Sequence, residues 1–118
     1  MSQNIRSHRD LQVYQRAFAA SEEIYSLMDQ IRRSSRSVCA NLVEVWRKRR
    51  YQAAFISKLS DSESEAAETQ VWIEFAVKCN YLNRDRADTV YRAYDDVLRT
   101  LVGMINHSER WIIGSESS

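Results

Sequence analysis

The chain contains no proline, only two glycines and only two cysteines. Sheets and long loops draw their turns from Gly and Pro, so their scarcity argues against a strand-rich fold and predicts helices joined by short connections. Cys39 and Cys79 lie far apart and lack metal-type spacing. That excludes a disulfide scaffold and reads as two half-buried thiols in a reduced cytoplasm. No apolar run approaches the roughly 20 residues needed to span a bilayer, so no membrane partner is expected. The opening MSQNIRSHRD has no apolar stretch behind its charges, so no secretory signal is expected either. No catalytic signature is found, and no cofactor is implied.

What remains is a chain of 118 residues with 44% hydrophobic and 28% charged side chains. That balance is globular, and the length reads as a single domain, 1–118, with an ordered core over about 10–112. The net charge of +1 conceals a segregation. Residues 30–50 carry Arg32, Arg33, Arg36, Arg47, Lys48, Arg49 and Arg50 against one acid, Glu44. Residues 61–74 carry Asp61, Glu63, Glu65, Glu68 and Glu74 and no base. The two segments either pair along a shared edge or leave the basic face free for phosphate.

Apolar and small residues recur at alternating spacings of three and four in four series. They are Leu11, Tyr14, Phe18, Ser21, Tyr25 and Met28; Ile31, Ser35, Val38, Leu42 and Val45; Phe55, Leu59, Ser62, Ala66, Thr69, Ile73 and Ala76; and Ala87, Val90, Tyr94, Val97, Leu101 and Met104. Such stripes predict an all-α, antiparallel (up-down) four-helix bundle with coiled-coil-like seams. Small residues at Ser35, Ser62, Ala66 and Thr69 allow close helix approach. Asn80 suits a left-handed turn after the third helix, and Asn83 suits the N-cap of a fourth opening at Arg84–Ala87. The GSESS tail after Ile113 is expected to fray.

The connection between the first two helices is open to three readings, because no Gly or Pro lies between Asp10 and Tyr51. Helix lengths favour a turn at Met28-Asp29-Gln30. A second turn site is near Ala20, with Ser21 as cap ahead of Glu22 and Glu23. The third reading is a continuous helix from Asp10 to Arg50, roughly 60 Å long at 1.5 Å per residue. Such a helix cannot fold back on its own chain and favours exchange between subunits.

The run QIRRSSRSVCANLVEVWRKRRY, followed by FISKLSDSESEAAETQVWIEFAVKCNYL, resembles the four-helix-bundle family encoded in intervening sequences of 23S ribosomal RNA genes. The matching residues are Gln30, Ile31, Arg32, Arg33, Ser37, Val38, Asn41, Leu42 and Glu44, then Phe55, Ile56, Leu59, Glu65, Glu68 and Thr69. The opening adds Asp10, Leu11, Tyr14 and Ala17, so the resemblance covers about residues 10–105. Two departures stand out. The family's Pro-containing turn between its first two helices is missing, and Val45 replaces a Gly that often follows the motif Glu. The second departure predicts that the second helix continues through Arg50. The resemblance implies a small helical bundle that assembles into rings, often pentamers, most without an assigned activity. A related branch, the accessory variability protein of diversity-generating retroelements, is a basic pentameric barrel that binds nucleic acid and a reverse transcriptase.

Three groups of residues are candidates for function. Arg32, Arg36, Arg47 and Arg50 share a helical stripe about 60° wide at 100° per residue. A backbone-directed, salt-sensitive contact with RNA or DNA is one reading of it, and a solvated or subunit-pairing face is the plainer one. Asn41 and Glu44, with Glu65 and Glu68 on the next helix, offer a carboxylate site. The di-iron bundle pattern needs Glu-x-x-His motifs, however, and His8 and His107 lie near the chain ends. A buried polar network with Arg32 or Arg33 that fixes register is the better reading. Trp46, Trp72, Phe75 and Trp111 sit off the seams. Trp46, Trp72 and Phe75 are therefore candidate anchors of a homo-oligomer interface, the alternative being a lateral core seam. Together these features describe a non-catalytic assembly or adaptor module, homo-oligomeric and cytoplasmic. The alternative is a nucleic-acid-binding accessory protein that uses the arginine face.

Overall fold

A computed structural model describes residues 6–114, apart from the side chains of residues 20, 21, 23 and 24. Three long helices carry the chain: α1 over Gln12–Arg47, α2 over Gln52–Lys78 and α3 over Arg84–Asn106. Short 3-10 turns at His8–Asp10 and Ser108–Arg110 flank them, and no strand occurs among the described residues. The fold is an all-α bundle with α2 antiparallel to both of its neighbours.

All four helical segments marked by the sequence are present, but the first two are one helix. α1 runs 36 residues without interruption, about 54 Å at the usual rise. Neither Met28-Asp29-Gln30 nor Ala20 holds a turn. Nothing in that stretch breaks a helix, since straight-chain and alanine residues dominate it and Pro and Gly are missing. The role foreseen for the Ser21 side chain as a cap lies outside the described residues.

The far end of α1 corrects a second expectation. The helix stops at Arg47, with the Lys48 N–H bonded to the Glu44 and Val45 carbonyls at 2.9 and 3.1 Å. Lys48–Arg50 form a turn and Tyr51 is extended, which reverses the chain into α2. The C-terminal segment closes over this turn through Ile113 N–H to the Arg49 carbonyl, 2.9 Å. Gln52 Nε2 also donates to the buried Ser108 hydroxyl at 3.0 Å. Most of the GSESS tail lies outside the described residues.

The opposite turn follows the sequence. Asn80 adopts φ 62°, and the Tyr81 N–H reaches back to the Ala76 carbonyl at 2.8 Å. The Asn83 carboxamide oxygen accepts from the Asp85 and Arg86 N–H groups at 2.9 and 3.2 Å, capping α3. A cap missed in the sequence precedes α1. The Ser7 hydroxyl accepts from Arg9 N–H, and the Asp10 carboxylate accepts from Ser7 N–H. The Ser-x-x-Asp spacing was the available signal.

Burial follows the stripes closely in α2. Phe55, Leu59, Ser62, Ala66, Thr69, Ile73 and Ala76 are all buried, with Gln70 beside them. The tightest apolar cluster, Val45, Phe55, Leu59 and Leu101, sits near the α1–α2 turn, with Leu42, Val97 and Met104 against it. Farther along, hydroxyls replace methyl groups between α1 and α2. Thr69 Oγ1 lies 2.8 Å from Ser34 Oγ, Ser34 Oγ donates to the Gln30 carbonyl at 2.9 Å, and Ser62 Oγ donates to the Val38 carbonyl at 3.3 Å. Each buried hydroxyl is thus satisfied, and the small side chains let the two backbones approach.

α1 outruns its partners. Ser34 meets Thr69, and nine residues remain from Thr69 to Lys78, so α2 ends about opposite Tyr25. Beyond that point Leu11, Val13, Phe18 and Tyr25 are exposed, at 38%, 72%, 55% and 67%. The radius of gyration is 21.5 Å and the long axis 86 Å. A compact chain of this length has a radius of about 13 Å.

The close contact of α1 with α2 makes a direct prediction. Ala66 is fully buried, so Ala66→Leu should overpack the interface and cost about 1–3 kcal/mol. Leu59→Ala in the main cluster should cost about 2–5 kcal/mol. Urea unfolding followed by circular dichroism measures both. An unchanged midpoint for Ala66→Leu would contradict the tight approach.

Candidate functional site

The candidate functional residues gather on α1, where packing, ion pairs and free arginines occupy different faces. Antiparallel packing brings Arg33 to the acidic helix. Its guanidinium forms an ion pair with Glu68, lies 3.7 Å from Glu65 Oε1, and bonds Gln30 Oε1 at 3.2 Å. Trp72 Nε1 donates to Glu68 at 3.1 Å, so one carboxylate holds both a cation and an indole. Glu65 Oε1 is buried yet has no hydrogen-bond partner. The cluster is only partly covered, with Arg33 side-chain exposure at 49% and Glu68 at 37%.

Asn41 and Glu44 do not join that cluster. Glu44 lies about three turns farther along α1, where it pairs with Lys58 at 3.3 Å, and Lys58 also lies 3.6 Å from Asp61. Asn41 is half-buried. The expected single network is therefore two separate ion-pair groups, because residues three turns apart on one helix meet different turns of its neighbour. Among the described residues, no group of three or more His, Cys, Asp or Glu side chains is placed to hold a metal ion. Cys39 and Cys79 are free and exposed, rather than half-buried as read from the sequence.

The arginine stripe is also divided. Arg32 pairs with Asp29 at 3.0 Å. Arg36 Nε donates to the Arg32 carbonyl at 3.2 Å. Arg36 and Arg47 are exposed on α1 and pair with no carboxylate among the described residues. Arg50 is exposed too but lies in the turn, so its direction is set by the loop rather than by helical spacing.

The aromatics fall into distinct settings. Trp46 is 59% exposed and lies under the Arg49 guanidinium, 3.3 Å from ring centroid to Cζ. Such a stack at an exposed site contributes about 0.5–1 kcal/mol. Trp72 is half-buried and packs on Phe75 at 6.0 Å between centroids. Phe75 itself is 54% exposed, beside exposed Val71, and Trp111 is 41% exposed.

One feature was invisible in the sequence. α2 packs closely on both α1 and α3, while the α1 and α3 backbones stay apart and share only the side chains of the apolar cluster around Val45 and Leu101. A cleft of about 360 Å³ opens between them, lined by Leu42, Val97, Leu101 and Met104 with Asp96 and Thr100 at its edge. Burial raises the pKa of the Tyr94 phenol above the ordinary tyrosine value, against an opposing effect of the Ser35 hydroxyl. Gln70 closes the other side of α3, donating to the Tyr91 carbonyl at 3.0 Å and to Asp95 at 2.8 Å. The Lys58–Asp61 spacing was readable as a helical pair, but the cleft required three helices in place.

The partial exposure of the Arg33 cluster sets its energetic scale. A double-mutant cycle of Arg33→Ala and Glu68→Ala should give a coupling of only about 0.2–1 kcal/mol, as for exposed pairs. Chemical denaturation of the four proteins measures it, and a coupling above 2 kcal/mol would show a desolvated pair instead.

Comparison with known proteins agrees with this geometry. The chain is similar to a protein of unknown function from the S23 ribosomal protein family of Bacteroides thetaiotaomicron VPI-5482, known from a crystal structure. The two are 29% identical with a TM-score of 0.64, over 67% of this chain and 72% of that one. No curated protein matches significantly. No helix among the described residues is long and apolar enough to cross a membrane. A family profile described as 23S rRNA-intervening sequence protein matches residues 9–103. With the helical order, the α1–α2 contact and this match in agreement, the chain belongs to the 23S rRNA-intervening sequence protein family.

Proposed function

We propose that this protein is a non-catalytic, cytoplasmic assembly or adaptor module that works as a homo-oligomer. The observation that carries the reading is its exposed apolar surface. Phe18, Tyr25, Trp46 and Phe75 each stand more than half exposed on helical surfaces. Soluble monomers rarely leave so much aromatic area in water, and interface cores are rich in such side chains. Trp46 and Phe75 are available as anchors. Trp72 supports Phe75 from behind, held by Glu68. Free thiols at Cys39 and Cys79 suit a reducing compartment.

The test is the mass in solution. Analytical ultracentrifugation of the 13.8 kDa chain should give a defined multiple of that mass at micromolar concentration. A single-chain mass across that range overturns the reading. Phe75→Ser should leave stability within about 0.5 kcal/mol, because the ring is exposed, while weakening any assembly that uses it.

A second reading rests on Arg36, Arg47 and Arg50, which lack carboxylate partners among the described residues. It makes the protein a nucleic-acid-binding accessory factor with backbone-directed contacts. Binding to mixed-sequence RNA or duplex DNA should then weaken steeply with salt, each lost phosphate contact reducing the logarithmic slope by about 0.7–0.9. Arg47→Glu with Arg50→Glu should abolish that binding and leave the assembly mass intact. Loss of the assembly instead would identify the stripe as a subunit contact. No binding at low ionic strength ends the nucleic-acid reading.

A further inference from the structure

We infer that the turn from Trp46 to Tyr51 is a stacking platform for unpaired bases, so that the nucleic acid this chain takes is a single strand of RNA or DNA. The inference rests on the nucleic-acid reading above and names the form of its ligand. WRKRRY is the run in which the chain reverses between α1 and α2. It sets Arg47, Lys48, Arg49 and Arg50 between two exposed rings, Trp46 at 59% and Tyr51 at 67%.

Arg49 is the centre of the platform. Its Nε donates to the Trp46 carbonyl at 2.9 Å. Its Cζ lies 3.3 Å from the indole centroid, close enough that the guanidinium lies flat on the ring. Its own carbonyl accepts from the Ile113 N–H at 2.9 Å. Held at backbone and side chain, the guanidinium is in place before any ligand arrives, which lowers the cost of ordering it on binding. Arg49 is half-exposed, and its two terminal nitrogens form no hydrogen bond among the described residues. They are open to a phosphate or to the edge of a base.

The charge of the turn is not neutralised within the chain. Arg47, Lys48, Arg49 and Arg50 pair with no carboxylate among the described residues. Glu44, just before them, is taken by Lys58 at 3.3 Å. Glu109, on the segment that closes the turn, faces His107 at 3.9 Å. Next to Arg49 in the chain, Arg50 and Tyr51 line a hollow of about 460 Å³ with Ile113 and Gly114, within the size range of small-ligand sites. Charge alone does not choose between a duplex and a single strand, but planar surfaces do. A duplex keeps its bases stacked on one another and offers this turn only phosphates. A single strand offers phosphates and free base faces, and those faces stack on aromatic rings and on arginine planes. The cations of the turn then follow the backbone, while the Arg49–Trp46 stack and the Tyr51 ring each take a base. This assignment leaves Phe75 as the anchor of the assembly.

Fluorescence anisotropy with the full chain tests the platform. The probes are a labelled mixed-sequence RNA of about 12 nucleotides, within the span of one single-strand site, and the same strand annealed to its complement. The wild-type protein should bind the single strand more tightly than the duplex. Trp46→Ala should lower the ratio of single-strand to duplex affinity about 10-fold. Arg49→Lys keeps the charge but loses the plane, so it should lower the same ratio. Because position 49 lies in the turn, this variant gives the answer even where Trp46→Ala fails to fold. Equal affinity of the wild-type protein for the two probes, or an unchanged ratio in Arg49→Lys, overturns the platform while the nucleic-acid reading stands. Absence of binding to either probe at low ionic strength ends both. A lower assembly mass for folded Trp46→Ala in ultracentrifugation also overturns the platform, because the ring is then a subunit contact.

Discussion

A helix of 36 residues with no break in it is the constraint on which the rest of the molecule depends. Its second half packs along α2, and its first half has no room to return. The bundle that α1, α2 and α3 form therefore has three helices in place and an open side between α1 and α3. The exposed aromatic stripe on the arm and the apolar cleft beside Leu42 are two consequences of that one feature. A proline or a pair of glycines near residue 28 would have permitted a hairpin, and the chain has neither there.

Inside the bundle, cohesion comes from two unlike contacts. Near the α1–α2 turn it is a conventional apolar cluster around Phe55 and Leu59. Farther toward the α2–α3 turn it is a set of small side chains, Ser34, Ser62, Ala66 and Thr69, that trade hydrophobic volume for close approach. Their hydroxyls bond one another or main-chain carbonyls, so burial carries little penalty from unpaired polar groups. This contact tolerates little enlargement, and among the described residues the third stripe is the most completely buried because α2 packs between α1 and α3.

Charge is arranged around these contacts rather than within them. Arg33 turns to the acidic face of α2, while Arg36 and Arg47 point elsewhere and Arg50 rides on the turn. A basic stretch that looked uniform in the sequence is thus already partly committed to internal ion pairs. Only its uncommitted part is available to a partner, whether phosphate or another subunit.

The sequence by itself determined the helical class, the α2–α3 turn at Asn80 and Asn83, and almost all of the buried face of α2. These depend on local backbone preference and on the 3.6-residue period, both of which are written residue by residue. It also pointed to Arg33, Glu65 and Glu68, since their helices had to be antiparallel neighbours. It did not decide between a break at residues 28–30 and a continuous α1, because a helical stripe reads the same in either case. It placed Asn41 and Glu44 in one network with Glu65 and Glu68, because spacing on one helix says nothing about which turn of the next helix lies opposite. It carried the helix to Arg50 because Val45 stands where a Gly would break it, and the chain instead turns at Lys48–Arg50. Only the tertiary structure decided those registers, the cleft between α1 and α3, and the exposure of Phe18 and Tyr25. Each is a property of the distance between helices, and that distance is set by packing rather than by any segment alone.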